Sequence, residues 1–177
     1  MRIISGAYKG RKINFPKNIK VRPTTDMAKE ALFNILANKV NFENIRVLDL
    51  YAGTGGITFE FASRGCIEIV AVDINYQCIS FINTFAKNLN MTNIKTINSS
   101  AYSYLVNNKK PFDVIFADPP YDIKSTDQLP AWVFNSNSLL KNGWLIIEHP
   151  ASLIFNDYEH FVDRRTYGRV NFSFFRL

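Results

Sequence analysis

The sequence is poor in the residues that stabilise small secreted domains and in those that bind metals. It has two cysteines and two histidines among 177 residues, too few for a disulfide framework or a zinc site. No apolar run approaches the roughly 20 residues of a membrane-spanning helix. The beginning of the chain, Arg2-Ile3-Ile4 followed by polar residues, does not have the pattern of a signal peptide. We therefore expect a cytoplasmic protein with reduced thiols, no metal and no membrane contact.

Length and composition indicate one globular domain. The hydrophobic share of 47% and the charged share of 20% are ordinary for such a protein. A chain of 177 residues can form one sizeable core but not two full ones. The sequence shows no repeat, low-complexity segment or linker rich in Pro, Gly and Ser.

Positive charge is concentrated near the two ends of the chain. The net charge is +6, and the only acidic residue among the first 29 positions is Asp26. This asymmetry is typical of a protein that binds a polyanion such as nucleic acid, with solubility alone as the alternative interpretation. The basic residues concerned are Arg2, Lys9, Arg11, Lys12, Lys17, Lys20, Arg22 and Lys29, and later Arg164, Arg165, Arg169 and Arg176.

Residues 1–22 form a separate unit by pattern. Their short apolar pieces around Gly6 and Gly10 predict one or two β-hairpins, too small to fold alone. We expect this basic amino-terminal extension to precede a main domain that spans residues 23–177. The main domain begins with a helix predicted over residues 24–38, where apolar residues follow a 3.6-residue spacing behind Thr and Asp capping candidates.

The remaining chain alternates between apolar runs and segments compatible with helices. The runs are nearly continuous, which is typical of strands covered by helices on both faces. This pattern predicts a doubly wound α/β sheet with parallel strands. Two segments that flank Tyr167-Gly168, residues 158–166 and 169–176, predict a hairpin that ends the sheet with an antiparallel strand. The predicted strands cover residues 45–50, 67–72, 94–97, 112–117 and 144–148, and the helices cover residues 56–64, 76–89, 100–107 and 125–134.

A glycine-rich turn follows the first predicted strand. Ligands of open α/β sheets bind beyond the carboxyl ends of strands, and glycines allow the backbone to approach them. The dinucleotide motif would need a third glycine where this chain has Thr58. Asp49, inside the strand, would crowd a pyrophosphate but suits a cationic amino group. The turn therefore favours S-adenosylmethionine over a dinucleotide, and Asp73, after the second strand, can accept the ribose hydroxyls.

The fourth strand is followed directly by Asp118-Pro119-Pro120-Tyr121. The two prolines stiffen this turn because each fixes φ and lacks an N–H group. If the Asp118 carboxylate and the Pro119 carbonyl accept the two N–H groups of an exocyclic amine, its lone pair can be aimed at a methyl donor. The sulfonium is already electrophilic, so this chemistry requires no metal. Tyr121 offers a stacking surface for a base taken out of its helix.

Several short motifs together place the chain among known enzymes. They are Arg2-Ile3-Ile4-Ser5-Gly6, Lys9-Gly10-Arg11-Lys12, Arg22-Pro23-Thr24-Thr25-Asp26, Glu30-Ala31-Leu32-Phe33-Asn34, the turn of residues 49–55, Asn98-Ser99 with Ala101, residues 118–121 and Tyr167-Gly168. Over nearly its whole length the chain resembles the bacterial RsmD family, which methylates N2 of a guanine in 16S ribosomal RNA. The diproline motif is shared with other amine methyltransferases, whereas the amino-terminal motifs are narrower and distinguish this family.

The resemblance implies a Rossmann-like methyltransferase sheet of seven strands and roles for particular residues. Catalytic positions would be Asp118, Pro119, Pro120 and Tyr121. The cofactor S-adenosylmethionine would contact Asp49, Tyr51, Ala52, Gly53, Thr54, Gly55, Asp73, Ile74, Ser100 and Ala101. Contacts to RNA would come from Arg2, Lys9, Arg11, Lys12, Arg22, Thr24, Arg165 and Arg169.

One departure and several alternatives accompany this resemblance. Family members often have an acidic residue where this chain has Ser100, so we expect adenine recognition to rest on backbone groups near Ala101. Arg22 could instead brace Asp26, and we expect His149 to be a structural or lining residue. The expected partner is 16S ribosomal RNA, within an assembling small subunit, bound by a monomer. Alternatives are an adenine-N6 methyltransferase acting on DNA or RNA and a catalytically silent RNA-binding assembly factor.

Overall fold

A computed structural model describes residues 1–16, 25–120 and 125–177, and these residues form a seven-stranded mixed sheet with five helices. The strands are β1 (Arg46–Leu50), β2 (Glu68–Asp73), β3 (Ile94–Asn98), β4 (Phe112–Ala117), β5 (Leu139–His149), β6 (Phe161–Tyr167) and β7 (Val170–Arg176). The helices are α1 (Asp26–Ala37), α2 (Gly56–Ser63), α3 (Tyr76–Asn88), α4 (Ala101–Asn107) and α5 (Leu129–Asn135).

The strand order confirms the predicted doubly wound sheet. It runs β3-β2-β1-β4-β5-β7-β6, and the first five strands in this order pair in parallel. β7 pairs antiparallel with both β5 and β6, as the predicted terminal hairpin requires. The chain moves outward from β1 in one direction to β3 and then returns to place β4 on the other side of β1. The gap beyond the carboxyl ends of β1 and β4 is therefore the position where such a sheet binds ligands.

Successive strand residues enter two separate apolar clusters, one on each face of the sheet. Val47 packs in the cluster that contains buried residues of α1, α2 and α3, whereas Leu48 packs in the one that contains those of α4 and α5. This alternation explains why the central strands β1, β2 and β4 are apolar at most positions. The long strand β5 differs from its prediction because its first residues include exposed Lys141 and Asn142 beside a register shift against β4.

Both predicted ends of the first helix are close to those observed. Thr25 is the N-cap of α1, and its side chain accepts a hydrogen bond from the Ala28 N–H. The helix predicted over residues 125–134 begins instead as a 3-10 turn, Thr126–Gln128, before α5. Pro130 stands in the first turn of α5, where the missing N–H has little cost.

Residues 1–16, the amino-terminal arm, form a minimal hairpin that packs on α2. One antiparallel bridge joins Arg2 and Lys12, and Ile3 and Ile13 are buried in the same apolar cluster as residues of α1 and α2. Gly6 has a φ of 83°, and a Cβ atom there would lie 1.8 Å from the carbonyl oxygen of Ser63. Only glycine allows this close approach. In the described ranges, no helix is long and apolar enough to cross a membrane.

Candidate active site

A cavity of about 630 Å³ opens at the carboxyl ends of β1, β2 and β4. Its volume falls within the roughly 300–1,000 Å³ of small-molecule sites. The glycine-rich turn after β1 and the turn after β4 both contribute to its wall. Many of the residues expected to contact the cofactor or to act in methyl transfer line this cavity. They are Asp49, Tyr51, Ala52, Gly53, Thr54, Asp73, Ile74, Ser100, Ala101, Asp118, Pro119 and Pro120.

The glycine-rich turn is held in left-handed backbone conformations. Tyr51 has a φ of 61°, and Gly53 and Gly55 have φ values of 53° and 78°. Such a conformation costs a bulky residue about 1–3 kcal/mol and is typical of functional turns. Gly55 does not line the cavity; a Cβ atom there would lie 2.7 Å from the Phe59 ring, so the helix packs directly against this glycine. Burial raises the pKa of Tyr51 to about 12.

Asp49 lies at the floor of the cavity and is almost fully buried, with 1% of its surface exposed. Burial raises the pKa of its carboxyl group to about 7, while a hydrogen bond from the Thr58 hydroxyl acts in the opposite direction. The Thr58 Oγ1 atom donates to Oδ2 of Asp49 at 2.5 Å. The residue that occupies the position of the missing third glycine thus supports the buried carboxylate.

Asp73 connects the end of β2 to the glycine-rich turn. Its Oδ2 atom accepts a hydrogen bond from the Gly53 N–H at 2.7 Å, and its Oδ1 atom accepts one from the Asn75 N–H at 2.8 Å. The N-cap of α3 is Asn75, whose side chain accepts from the Gln77 N–H. Asp73 therefore braces the turn with a carboxylate that still has free lone pairs, because each oxygen can accept more than one hydrogen bond.

The end of β3 contributes Ser100 and Ala101. Ser100 is the N-cap of α4, and its Oγ atom accepts a hydrogen bond from the Ser103 N–H at 3.1 Å. Ala101 is buried beside it. The Ser99 N–H donates to the Asp73 carbonyl oxygen at 3.1 Å, so this turn and the end of β2 form one wall.

The turn after β4 meets the end of β1 at the point where strand order reverses. The Asp118 N–H donates to the Leu50 carbonyl oxygen at 3.3 Å. Pro119 is buried and Pro120 is exposed, and both line the cavity together with Asp118. Tyr121 lies outside the described residues, so its predicted stacking role stays a prediction.

The cavity role of Lys29 was not expected from the sequence, where it counted only among the basic residues that favour a polyanionic partner. Its side chain is instead buried, and it contributes to the cavity wall. The Nζ atom donates to the Arg2 carbonyl oxygen at 2.5 Å. The signal was present in the helical spacing, because residues 29, 32, 33 and 36 lie on one face of α1 and all are buried.

Other cavity residues carried no sequence signal of their own. Glu148, near the end of β5, is a buried acid in the wall. Tyr102 and Trp132, from α4 and α5, form an edge-to-face ring pair that also faces the cavity. None of these positions belongs to a local motif, so only the packing of distant elements brings them to the site.

Among the residues that the structure describes, those predicted to contact RNA lie away from the cavity wall. Lys9, Arg11 and Lys12 are exposed on the amino-terminal arm. Arg2 faces Asp26, with 3.4 Å between Nε and Oδ2, which is the bracing role considered for Arg22. Arg22 and Thr24 themselves lie outside the described residues.

The carboxyl-terminal hairpin carries the other two basic candidates. Arg165 pairs with Asp163, with 2.7 Å between Nε and Oδ2, and Arg169 is exposed beside Gly168. His149 is fully buried, and its Nε2 and Nδ1 atoms lie 2.8 Å from the Ser173 hydroxyl and 2.9 Å from the Pro150 carbonyl oxygen. These contacts are those expected of a structural residue, and burial lowers the pKa of His149.

Comparisons with known proteins agree with this architecture. The family model described as conserved hypothetical protein 95 matches residues 1–176. Ribosomal RNA small subunit methyltransferase D of Buchnera aphidicola is 30% identical over 153 residues, covering 86% of this chain and 78% of that protein. The solved putative methyltransferase yhhF from Escherichia coli superposes with a TM-score of 0.86 at 24% identity, covering 99% of this chain and 97% of that one.

A more distant solved structure shares the fold of the main sheet. It is the Thermus thermophilus 16S rRNA N2 G1207 methyltransferase, in complex with AdoMet and guanosine. The TM-score is 0.68 at 19% identity, and the superposition covers 86% of this chain and 43% of that one.

Proposed function

This chain belongs to the conserved hypothetical protein 95 family, and we propose that it methylates the exocyclic N2 amine of a guanine in 16S ribosomal RNA. The family match and the relatives confirm the RsmD-family resemblance and show that the chain is an S-adenosylmethionine-dependent methyltransferase. Guanine N2 as the acceptor is supported by the family motifs of the amino-terminal segment.

The observation that carries the proposal is one cavity lined by two turns of different chemistry. The turn after β1 brings Asp49 and the glycine-rich backbone, and the turn after β4 brings Asp118 and Pro119. A donor bound at the first turn and an amine bound at the second would meet within the same cavity. Holding two reactants in this way supplies a large part of a rate enhancement.

The residues present fit S-adenosylmethionine. Asp49 would face its ammonium group, Asp73 would accept its ribose hydroxyls, and Ile74 and Ala101 would contact its adenine. The acidic floor and the largely apolar wall suit a cationic amino acid joined to a nucleoside. When bound, this cofactor supplies an electrophilic methyl group on a sulfonium.

The turn after β4 would orient the target amine. The Asp118 carboxylate and the Pro119 carbonyl oxygen can accept its two N–H groups, which directs the nitrogen lone pair toward the donor. Two successive prolines keep these acceptors fixed, since neither residue can rotate about φ. After transfer the nitrogen carries an extra proton, which leaves to Asp118 or to water.

The basic surfaces would hold the RNA by its phosphates. Lys9, Arg11 and Lys12 are exposed together on the arm, and phosphate contacts position an RNA without reading its sequence. We further propose that residues 1–22 act as an RNA-binding extension of the main domain. We also propose that the protein acts as a monomer in the cytoplasm and that its substrate is 16S RNA within an assembling small subunit.

Nucleoside mass spectrometry of ribosomal RNA from cells with and without the gene tests the acceptor. We expect N2-methylguanosine in 16S RNA to fall by one residue per molecule in the deletion strain and to return with the wild-type gene. Complementation with the Asp118→Ala variant separates an enzyme from a silent assembly factor. If the protein is the enzyme, this variant leaves the N2-methylguanosine content at the deletion-strain level, whereas a silent factor would restore the wild-type content. A loss of N6-methyladenosine with unchanged N2-methylguanosine would assign the adenine reaction instead.

A further inference from the structure

We propose that Tyr102 and Trp132 form an aromatic wall that binds a purine ring in the cavity, with the adenine of the cofactor as the favoured purine. The proposal rests on the methyl-donor site proposed above and adds two residues that no motif assigns to it. It also assigns part of the adenine contact to side chains, whereas the sequence led us to expect adenine recognition by backbone groups near Ala101.

The two rings belong to different helices and meet at the cavity. Their centroids are 5.0 Å apart with an interplanar angle of 64°, an edge-to-face arrangement. Tyr102 stands in the first turn of α4, and 54% of its surface is exposed. An aromatic ring left half in water at the mouth of a cavity gains free energy when a flat apolar ligand covers it.

The wall next to the pair has the character of a site for a planar base. Ile74 also lines the cavity and is 74% exposed, and Ala101 leaves room because its side chain is small. The nearby side-chain oxygens are already engaged in capping, with Ser100 accepting from Ser103 and Asn75 accepting from Gln77. This end of the cavity therefore presents stacking surfaces more than hydrogen-bonding groups.

Position along the sheet favours adenine over the target guanine. Tyr102 follows β3, whereas Asp118 follows β4, and β2 and β1 lie between these strands. Asp73, the ribose candidate, ends β2 and is joined to the β3 turn through Ser99. A base attached to a ribose at Asp73 can reach Tyr102 on the side away from the turn after β4.

The two tryptophans of the chain make the proposal directly measurable. Trp144 is buried in β5, with the Lys39 Nζ atom 4.1 Å from its ring centroid, and it does not line the cavity. In the Trp144→Phe protein Trp132 is the sole tryptophan. We expect S-adenosylhomocysteine to change its emission saturably, and we expect Trp132→Phe, with Trp144 alone, to show no change.

Affinity measurements identify the purine. We expect Tyr102→Ala to weaken the binding of S-adenosylhomocysteine and of adenosine about tenfold, within the range for loss of a base–aromatic stack, and Tyr102→Phe to retain both. Val106→Ala is the matched control, since Val106 lies on the same helix, is 62% exposed and does not line the cavity. Guanosine is titrated in parallel onto the protein saturated with S-adenosylhomocysteine.

Each outcome decides the proposal. Weaker adenosine binding with unchanged guanosine binding supports the adenine wall. Weaker guanosine binding alone supports a purine wall that serves the target base. Wild-type affinities for both nucleosides in Tyr102→Ala, together with silent Trp132 emission, would overturn the inference while leaving the methyltransferase proposal intact. Failure of the wild-type protein to bind S-adenosylhomocysteine would contradict the cofactor site and the inference together.

Discussion

Lys29 and Glu60 bring opposite charges into the core, with the Lys29 Nζ atom 3.8 Å from Oε2 of Glu60 and both side chains at most 1% exposed. The Glu60 carboxylate also accepts hydrogen bonds from the backbone N–H groups of Ile4 and Ser5. Glu60 lies on α2, which begins at Gly56 beside the cofactor turn. One helix thus follows directly from the glycine-rich turn and also contacts the amino-terminal arm.

This pair predicts a large stability loss when the lysine charge is removed. Lys29→Met takes away one of the two cations beside the Glu60 carboxylate, Arg64 being the other, and the donor to the Arg2 carbonyl oxygen, so we expect a loss of about 2 kcal/mol. Burial lowers the pKa of Lys29, with Glu60 opposing the shift. Urea unfolding measures the change.

Lys95→Met is the matched control for this loss. Lys95 pairs with Glu68 on the surface, where its side chain is 66% exposed, and exposed pairs contribute about 1 kcal/mol or less. Equal destabilisation by the two substitutions would contradict a special role for the buried pair.

Cofactor affinity is predicted to depend on pH through Asp49. The pKa of this carboxyl group is raised to about 7 by burial, so it is largely neutral at pH 6 and largely charged at pH 8. Because the cofactor's ammonium group is attracted by the charged form, we expect S-adenosylhomocysteine to bind about tenfold more weakly at pH 6 than at pH 8. Isothermal titration calorimetry across this range measures the effect.

Two variants test whether Asp49 is the group that titrates. Asp49→Asn should bind weakly at every pH with the step near pH 7 removed. Thr58→Val deletes the hydrogen bond that holds the Asp49 pKa down, so the midpoint should move to higher pH. A midpoint that stays at the wild-type value in both proteins would assign the titration to another group.

Asp118 is predicted to act on the acceptor and not on the cofactor. In the Asp118→Ala variant we expect kcat to fall by about 100-fold or more, because a misplaced nucleophile loses the benefit of orientation. S-Adenosylhomocysteine affinity should stay within about twofold of wild type, since the glycine-rich turn that would hold the cofactor follows β1. Single-turnover methylation and calorimetry separate the two effects, and failure of the variant to bind the cofactor would remove Asp118 from the role assigned to it.

The amino-terminal arm is predicted to bind RNA through charge. Changing Lys9, Arg11 and Lys12 to Glu should weaken RNA binding and flatten its salt dependence, with the slope falling by about 1 for each phosphate that is no longer neutralised. All three residues are exposed, so the fold should be unaffected. Filter binding across a salt series provides the measurement.

A charge-matched control separates local contacts from net charge. Lys109, Lys110 and Lys141 are exposed and lie near the starts of β4 and β5, at the opposite end of the strands from the cavity. Changing these three to Glu alters the net charge equally. Equal weakening of RNA binding in both triple variants would show that the arm contributes only through net charge and makes no specific contact to the RNA.

Local patterns in the sequence determined the parallel core of the sheet, the closing hairpin and the two turns of the site. Apolar runs mark strands because both faces are buried, and Gly53 and Pro119 mark turns because their backbone preferences are intrinsic. A motif such as residues 118–121 thus indicates a type of chemistry without any knowledge of the fold. Motif resemblance, confirmed by the family match, added the enzyme class.

Only the tertiary structure decided which distant residues share the site. Pairing of β1 with β4 joins Leu50 to Asp118 and fuses two turns into one cavity, while packing of the arm on α2 removes Lys29 from the surface and gives it a buried partner. The Tyr102–Trp132 contact likewise depends on α4 and α5 lying on the same face of the sheet. Such contacts depend on closing long loops around a common core, and no local propensity encodes their geometry.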